Sequence, residues 1–144
     1  MKPPGAGSFG GMPLTRIEHF MVLAEDMHAS RDFYRDVLGF EEGFRPDLGF
    51  DGYWLYLGAT PCVHIADKRS YLRRKGGYGD EDPGAVRGGA RVDHIAFNGQ
   101  DCDAMVARMA ARGVHVRPNE VPGGPRQLFV FDPDGVKIEM NFMS

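Results

Sequence analysis

The sequence predicts an α+β protein built from two repeated units that share a metal site. Two observations carry this. His19 and His94 lie 75 residues apart, and so do His64 and Glu139. Around them, the order strand, helix, then three strands runs through the chain twice. Imidazole and carboxylate at matching points of two repeated units point to one metal site at their junction.

The repeat extends to residue classes. Ile17-Glu18-His19 matches Val92-Asp93-His94, and Val63-His64-Ile65 matches Ile138-Glu139-Met140. Asp26 and Asp101 each open a helical stretch, and Gly39 and Gly113 each close one. Trp54 and Tyr56 match Phe129 and Phe131.

In the first unit, Arg16 to Leu23 alternates apolar and polar residues and reads as a strand. Asp26 caps a helix from about His28 to Leu38, whose buried stripe is Phe33, Tyr34, Val37 and Leu38. Strands follow near residues 40–44, 53–57 and 62–66. The second unit repeats the order: a strand over 91–98, a helix over 101–112 with Met105, Val106 and Met109 inward, then strands over 114–117, 127–131 and 136–142. Asp132-Pro133-Asp134-Gly135 is the turn before the last strand. The units are thus residues 14–66 and 91–144 of a single domain, joined by a Gly-rich linker over 67–90. The Gly- and Pro-rich residues 1–13 read as a flexible tail.

Composition narrows the function classes. A net charge of −3 and a pI near 5.9 argue against a nucleic-acid binder. No apolar run has the length of a membrane span. Two cysteines, Cys62 and Cys102, are too few for a disulfide scaffold and suit the cytoplasm.

Strand alternation supports the ligand set. His19, His64, His94 and Glu139 are each read as mid-strand residues with apolar neighbours. An inward carboxylate without a partner would be costly, and a cation removes that cost. Three imidazoles and a carboxylate suit Fe, Mn, Ni, Co or Zn, not calcium. The alternative is that these are ordinary core or surface residues.

The chain resembles the vicinal oxygen chelate superfamily, which includes glyoxalase I, extradiol ring-cleaving dioxygenases and bleomycin-binding proteins. The resemblance rests on Ile17-Glu18-His19-Phe20, on Ser30-Arg31-Asp32-Phe33-Tyr34 through Leu38-Gly39-Phe40, on Val92-Asp93-His94-Ile95-Ala96-Phe97, and on Asp132-Pro133-Asp134-Gly135-Val136-Lys137-Ile138-Glu139. It implies two βαβββ modules forming a curled eight-stranded mixed sheet around one divalent metal, and a homodimer. His19, His94 and Glu139 match the family's two-histidine, one-carboxylate set. His64 stands where glyoxalase I has a carboxylate, so it is read as a fourth ligand or as the proton-transfer group.

The reading that follows is a metal-dependent enzyme acting on a small vicinal-oxygen substrate, with glyoxalase- or isomerase-like proton transfer favoured over extradiol dioxygenation. A non-catalytic drug- or metabolite-binding protein is the reading from a different class. The catalytic candidates are His64 and Glu139. Trp54, Tyr56, Asn98, Arg126, Phe129 and Phe131 are the substrate-pocket candidates. Asn141 is a further polar group on the Glu139 strand, and the basic run from Lys68 to Lys75 is a candidate clamp for an anionic tail.

Overall fold

The computed structural model describes residues 13–74 and 92–143. The N-terminal tail and most of the linker, with Lys75 and Tyr78, lie outside the described residues.

The first module runs β1 (Phe20–Ala24), α1 (Met27–Asp32) passing into a π-helical segment (Phe33–Val37), β2 (Glu41–Gly43), β3 (Gly52–Leu57) and β4 (Thr60–Asp67). A short helix α2 (Lys68–Arg73) follows. The second runs β5 (Ile95–Gly99), α3 (Cys102–Ala111), β6 (Arg117–Glu120), β7 (Arg126–Phe131) and β8 (Lys137–Phe142). Each module folds into a four-stranded mixed sheet, ordered β1-β4-β3-β2 and β5-β8-β7-β6. The first strand of each runs parallel to the last, and the other pairings are antiparallel. This is the expected βαβββ unit, twice.

Strand alternation sends one face of each sheet into a common core. Val22, Leu55, Val63 and Ile65 from the first module meet Leu128, Val130, Ile138, Met140 and Phe142 from the second. The helical stripe Phe33, Tyr34, Val37 and Leu38 is buried as predicted. Phe97 packs edge-on against Phe40, with ring centroids 5.4 Å apart.

Polar contacts clasp the modules together. The Tyr34 hydroxyl donates to Asp132 at 2.7 Å, and the fully buried Ser30 hydroxyl donates to Asp134. Asp132 also accepts from the backbone N–H of Asp134 and of Val136, each at 2.8 Å. From α3, the Arg108 guanidinium donates to the carbonyls of Asp36 and Val37 at the end of the first helical segment.

Several boundaries differ from the sequence reading, each for a local reason. β1 begins at Phe20 and β5 at Ile95, so His19 and His94 precede their strands rather than lying within them. Alternation marks a segment able to be a strand, but residues 14–19 have no paired strand among the described residues, and Ile17 is 96% exposed. Val114 closes the end of α3, its N–H donating to the Met109 carbonyl, and β6 starts later, at Arg117. Val106 lies off the buried stripe of α3, which is formed by Cys102 and Met109. The start of the basic run is helical: Asp67 caps α2, and Lys68 is ion-paired with Glu25 at 2.9 Å. Lys68 is thus paired with Glu25 at the surface of the first module.

Candidate functional site

Apart from Arg126, the candidate residues lie on or beside the sheet faces turned away from the core. In the first module, the register sets Met21, His64 and Trp54 side by side across β1, β4 and β3. In the second, it sets Ala96, Glu139 and Phe129 side by side across β5, β8 and β7. The two rows are equivalent in the repeat, so His64 and Glu139 occupy matching places.

His19 and His94 are prepared in the same way. Each ring is held at Nδ1 by the acid that precedes it: Glu18 at 2.9 Å and Asp93 at 2.9 Å. That leaves Nε2 as the open nitrogen of both, the arrangement by which an outer carboxylate orients a metal-binding histidine. Lys137 anchors Asp93 at 2.7 Å, and the two contacts, that of Lys137 first, hold the Asp93 carboxyl at about 2.

His94 and Glu139 form one half-site. His94 Nε2 stands 3.7 Å from Glu139 Oε1. Two donors about 2.1 Å from a shared ion stand roughly 3.0–3.4 Å apart, so a small adjustment would let this pair grip one. The Glu139 side chain is only 14% exposed. Its other oxygen, Oε2, accepts from the Asn141 side-chain amide at 2.8 Å.

His19 and His64 form the other half, arranged differently. Their rings stack with centroids 3.8 Å apart and planes 11° apart, and Trp54 stacks on the opposite face of His64 at 4.2 Å. An imidazole ligates in the plane of its ring. An ion about 2.1 Å from a His19 nitrogen would therefore sit well outside the His64 plane. As arranged, one of these two histidines can bind a given ion, not both. His64 Nε2 lies 3.0 Å from the Pro61 carbonyl, which can only accept. Nε2 must therefore carry the proton, and Nδ1 is the free acceptor.

Burial pushes the His64 imidazole below its ordinary value, and the neighbouring His19 adds to this. Because the unfolded chain then holds this proton more tightly than the folded one, the neutral ring's contribution to stability is present above about 6.5 and is lost as pH falls through the folded value. We expect wild type to lose more of its urea midpoint than His64→Gln between pH 7.5 and 5.5. Parallel profiles would show that His64 carries no such linkage.

His19 and His94 face one groove of about 430 Å³, together with Cys62, Ala96 and Phe97. Among the described residues, however, no three His, Cys, Asp or Glu side chains converge on one point. The four predicted ligands are brought together as two pairs.

The pocket candidates divide. Trp54 and Phe129 flank His64 and Glu139 in register, and Phe131 lines a cavity with His94. Tyr56 shares the Trp54 face and donates its hydroxyl to the Phe44 carbonyl. Asn98 lies next to Asn141, its amide 3.4 Å from the Asn141 carbonyl. Arg126 does not belong with them. It lies opposite Phe142, whose side chain is in the core, and it binds Asp103 of α3 at 3.0 Å. Strand parity turns it away from the pocket face. The sequence reading missed the orienting roles of Glu18, Asp93 and Lys137, although an acid before each histidine was visible in the repeat. It also missed Asn119, discussed below.

Paired βαβββ modules with imidazole and carboxylate at equivalent places define a class of two-module folds. The chain belongs to the glyoxalase/bleomycin resistance protein/dioxygenase superfamily, whose profile matches residues 16–140. It is 32% identical over 133 residues to glyoxylase I 4 of Arabidopsis thaliana, an alignment covering 88% of this chain and 70% of that protein. The antibiotic binding protein TnmS3 from Streptomyces sp. CB03234 superposes with a TM-score of 0.65 at 26% identity, covering 92% of this chain and 99% of that one. Lactoylglutathione lyase from Agrobacterium tumefaciens shares the fold with a TM-score of 0.65 at 23% identity, covering 91% and 96%.

Proposed function

We propose that this chain is a divalent-metal-dependent enzyme that catalyses glyoxalase- or isomerase-like proton transfer on a small substrate with vicinal oxygens. The observation that carries the reading is the His94–Glu139 pair, with one open nitrogen and one open oxygen 3.7 Å apart and both side chains held from behind. His94, Glu139 and His19 would hold the ion, one of Fe, Mn, Ni, Co or Zn. When bound, it supplies Lewis acidity toward two adjacent substrate oxygens. His64, neutral and with Nδ1 free, takes the proton from the substrate carbon. The Trp54 ring keeps the imidazole fixed, and Phe129 and Phe131 offer apolar walls to the substrate.

The half-sites join in a homodimer in which the first module of one chain faces the second module of its partner. Supporting this, Ile17, Met21 and Val92 beside the half-sites are exposed, at 96%, 38% and 78%. The two cysteines are unpaired, which fits a cytoplasmic enzyme. Among the described residues no helix is long and apolar enough to cross a membrane.

The stacking of His19 on His64 favours a second reading. With His64 off the ion, two histidines and one carboxylate remain, a set that also suits Fe(II) and O₂ in extradiol ring cleavage. The test is metal content and turnover of untagged protein purified anaerobically, wild type beside His64→Ala. We expect about one metal per chain in both. We also expect deuterium wash-in from solvent at the carbon next to the carbonyl of α-hydroxy ketone probes, in wild type alone. O₂ uptake with catechol probes in place of wash-in would select the dioxygenase. No metal after reconstitution would overturn both readings and leave a ligand-binding protein.

A further inference from the structure

A row of side-chain amides crosses the second sheet beside Glu139. Asn119 on β6, Gln127 on β7 and Asn141 on β8 are register neighbours. Asn119 Nδ2 donates to Gln127 Oε1 at 2.7 Å, Gln127 Nε2 donates to Asn141 Oδ1 at 3.0 Å, and Asn141 Nδ2 donates to Glu139 Oε2 at 2.8 Å. The row has a direction. A carboxylate only accepts, so Asn141 must turn its NH₂ toward Glu139 and its oxygen toward Gln127, and the same logic fixes Gln127 against Asn119. The positions equivalent to Gln127 and Asn141 in the first sheet are Gly52 and Ala66, which carry no amide. The row therefore occurs only in the module that carries the carboxylate.

We propose that Asn141, held in turn by Gln127 and Asn119, is a positioning residue for Glu139. It occupies Oε2 and turns Oε1 toward His94, so that Glu139 serves as a one-oxygen ligand of fixed orientation. The proposal rests on the metal reading above. Mutation of such outer partners costs about 10- to 100-fold in metal affinity.

The test uses full-length Gln127→Glu and Asn141→Ala. Gln127→Glu keeps the shape of the side chain and puts an acceptor where the row needs a donor, two strands from β5 and without touching Glu139. Co(II) titration followed by visible absorption should show binding weakened about 10-fold or more in both variants. The Co(II) band should shift, and the urea midpoint of the metal-free protein should stay close to wild type. Crystals of metal-free Asn141→Ala should show the Glu139 carboxylate turned or spread over several rotamers. Unchanged Co(II) affinity and band in both variants would overturn the proposal. If wild type itself binds no Co(II), the metal reading fails, and the metal-free crystals decide the positioning role alone: a Glu139 fixed as in wild type overturns it, and a displaced one upholds it.

Discussion

Asp132→Ala should destabilise the protein by about 3–5 kcal/mol, because it leaves three buried donors without their acceptor at roughly 1–3 kcal/mol each. The Asp132 carboxylate is 5% exposed and accepts three hydrogen bonds, from the Tyr34 hydroxyl and from the N–H groups of Asp134 and Val136. Alanine would leave two backbone donors and a fully buried phenol without partners. Burial is also what raises the Asp132 carboxyl above its ordinary value and, with Asp132 beside it, pushes the Tyr34 phenol well up, so the phenol is the donor at every working pH. Tyr34→Phe removes one partner only and should cost about 1.5–3 kcal/mol, the range for a hydrogen bond to a charged group. Urea unfolding of the two variants separates the cases. A similar small loss in both would mean that the clasp contributes little and that the apolar core alone unites the modules.

Glu139→Gln should act in the opposite sense. Its effect on metal binding should exceed the roughly 100-fold that loss of an outer partner can cost, because the ligand charge itself is removed. The metal-free variant should be at least as stable as metal-free wild type. The carboxylate is mostly buried, and among the described residues the group of potentially opposite charge paired with it is His94 at 3.7 Å. A neutral amide of the same shape is less costly to bury. Metal titration and thermal unfolding on the same samples test both halves. A variant that keeps wild-type affinity would remove Glu139 from the ligand set. One that loses affinity and also unfolds earlier without metal would mean that Glu139 supports the fold more than the site.

The fold was legible because its two modules repeat the same residue classes. A 75-residue offset that matches His19 with His94 and Trp54 with Phe129 marks equivalent strands without any alignment. Period-two alternation gave the faces, and Gly39 and Gly113 gave the helix ends. Strand limits were less legible where pairing rather than pattern decides them, as at residues 14–19. The same limit applied to the site. A repeat reveals what two halves share, so it found His64 and Glu139. The amide row occurs in one half only, and its members become neighbours only once β6, β7 and β8 are in register. The ring stack of His19, His64 and Trp54 depends on rotamers, which spacing does not specify. Arg126 was misplaced by position along the chain, although the parity of β7 turns it toward α3.

The clasp between the modules also sets an order of events during synthesis. Ser30 and Tyr34 leave the ribosome about a hundred residues before the turn that satisfies them, a gap read directly from their contacts with Asp134 and Asp132. Until that turn is made, water must take the place of the two carboxylate acceptors, and the apolar face of the first module lacks the cover that the second supplies. It therefore cannot complete its own interior and leave it finished behind the growing chain. The shared core is therefore complete only once β8 and the turn before it are available to the first module.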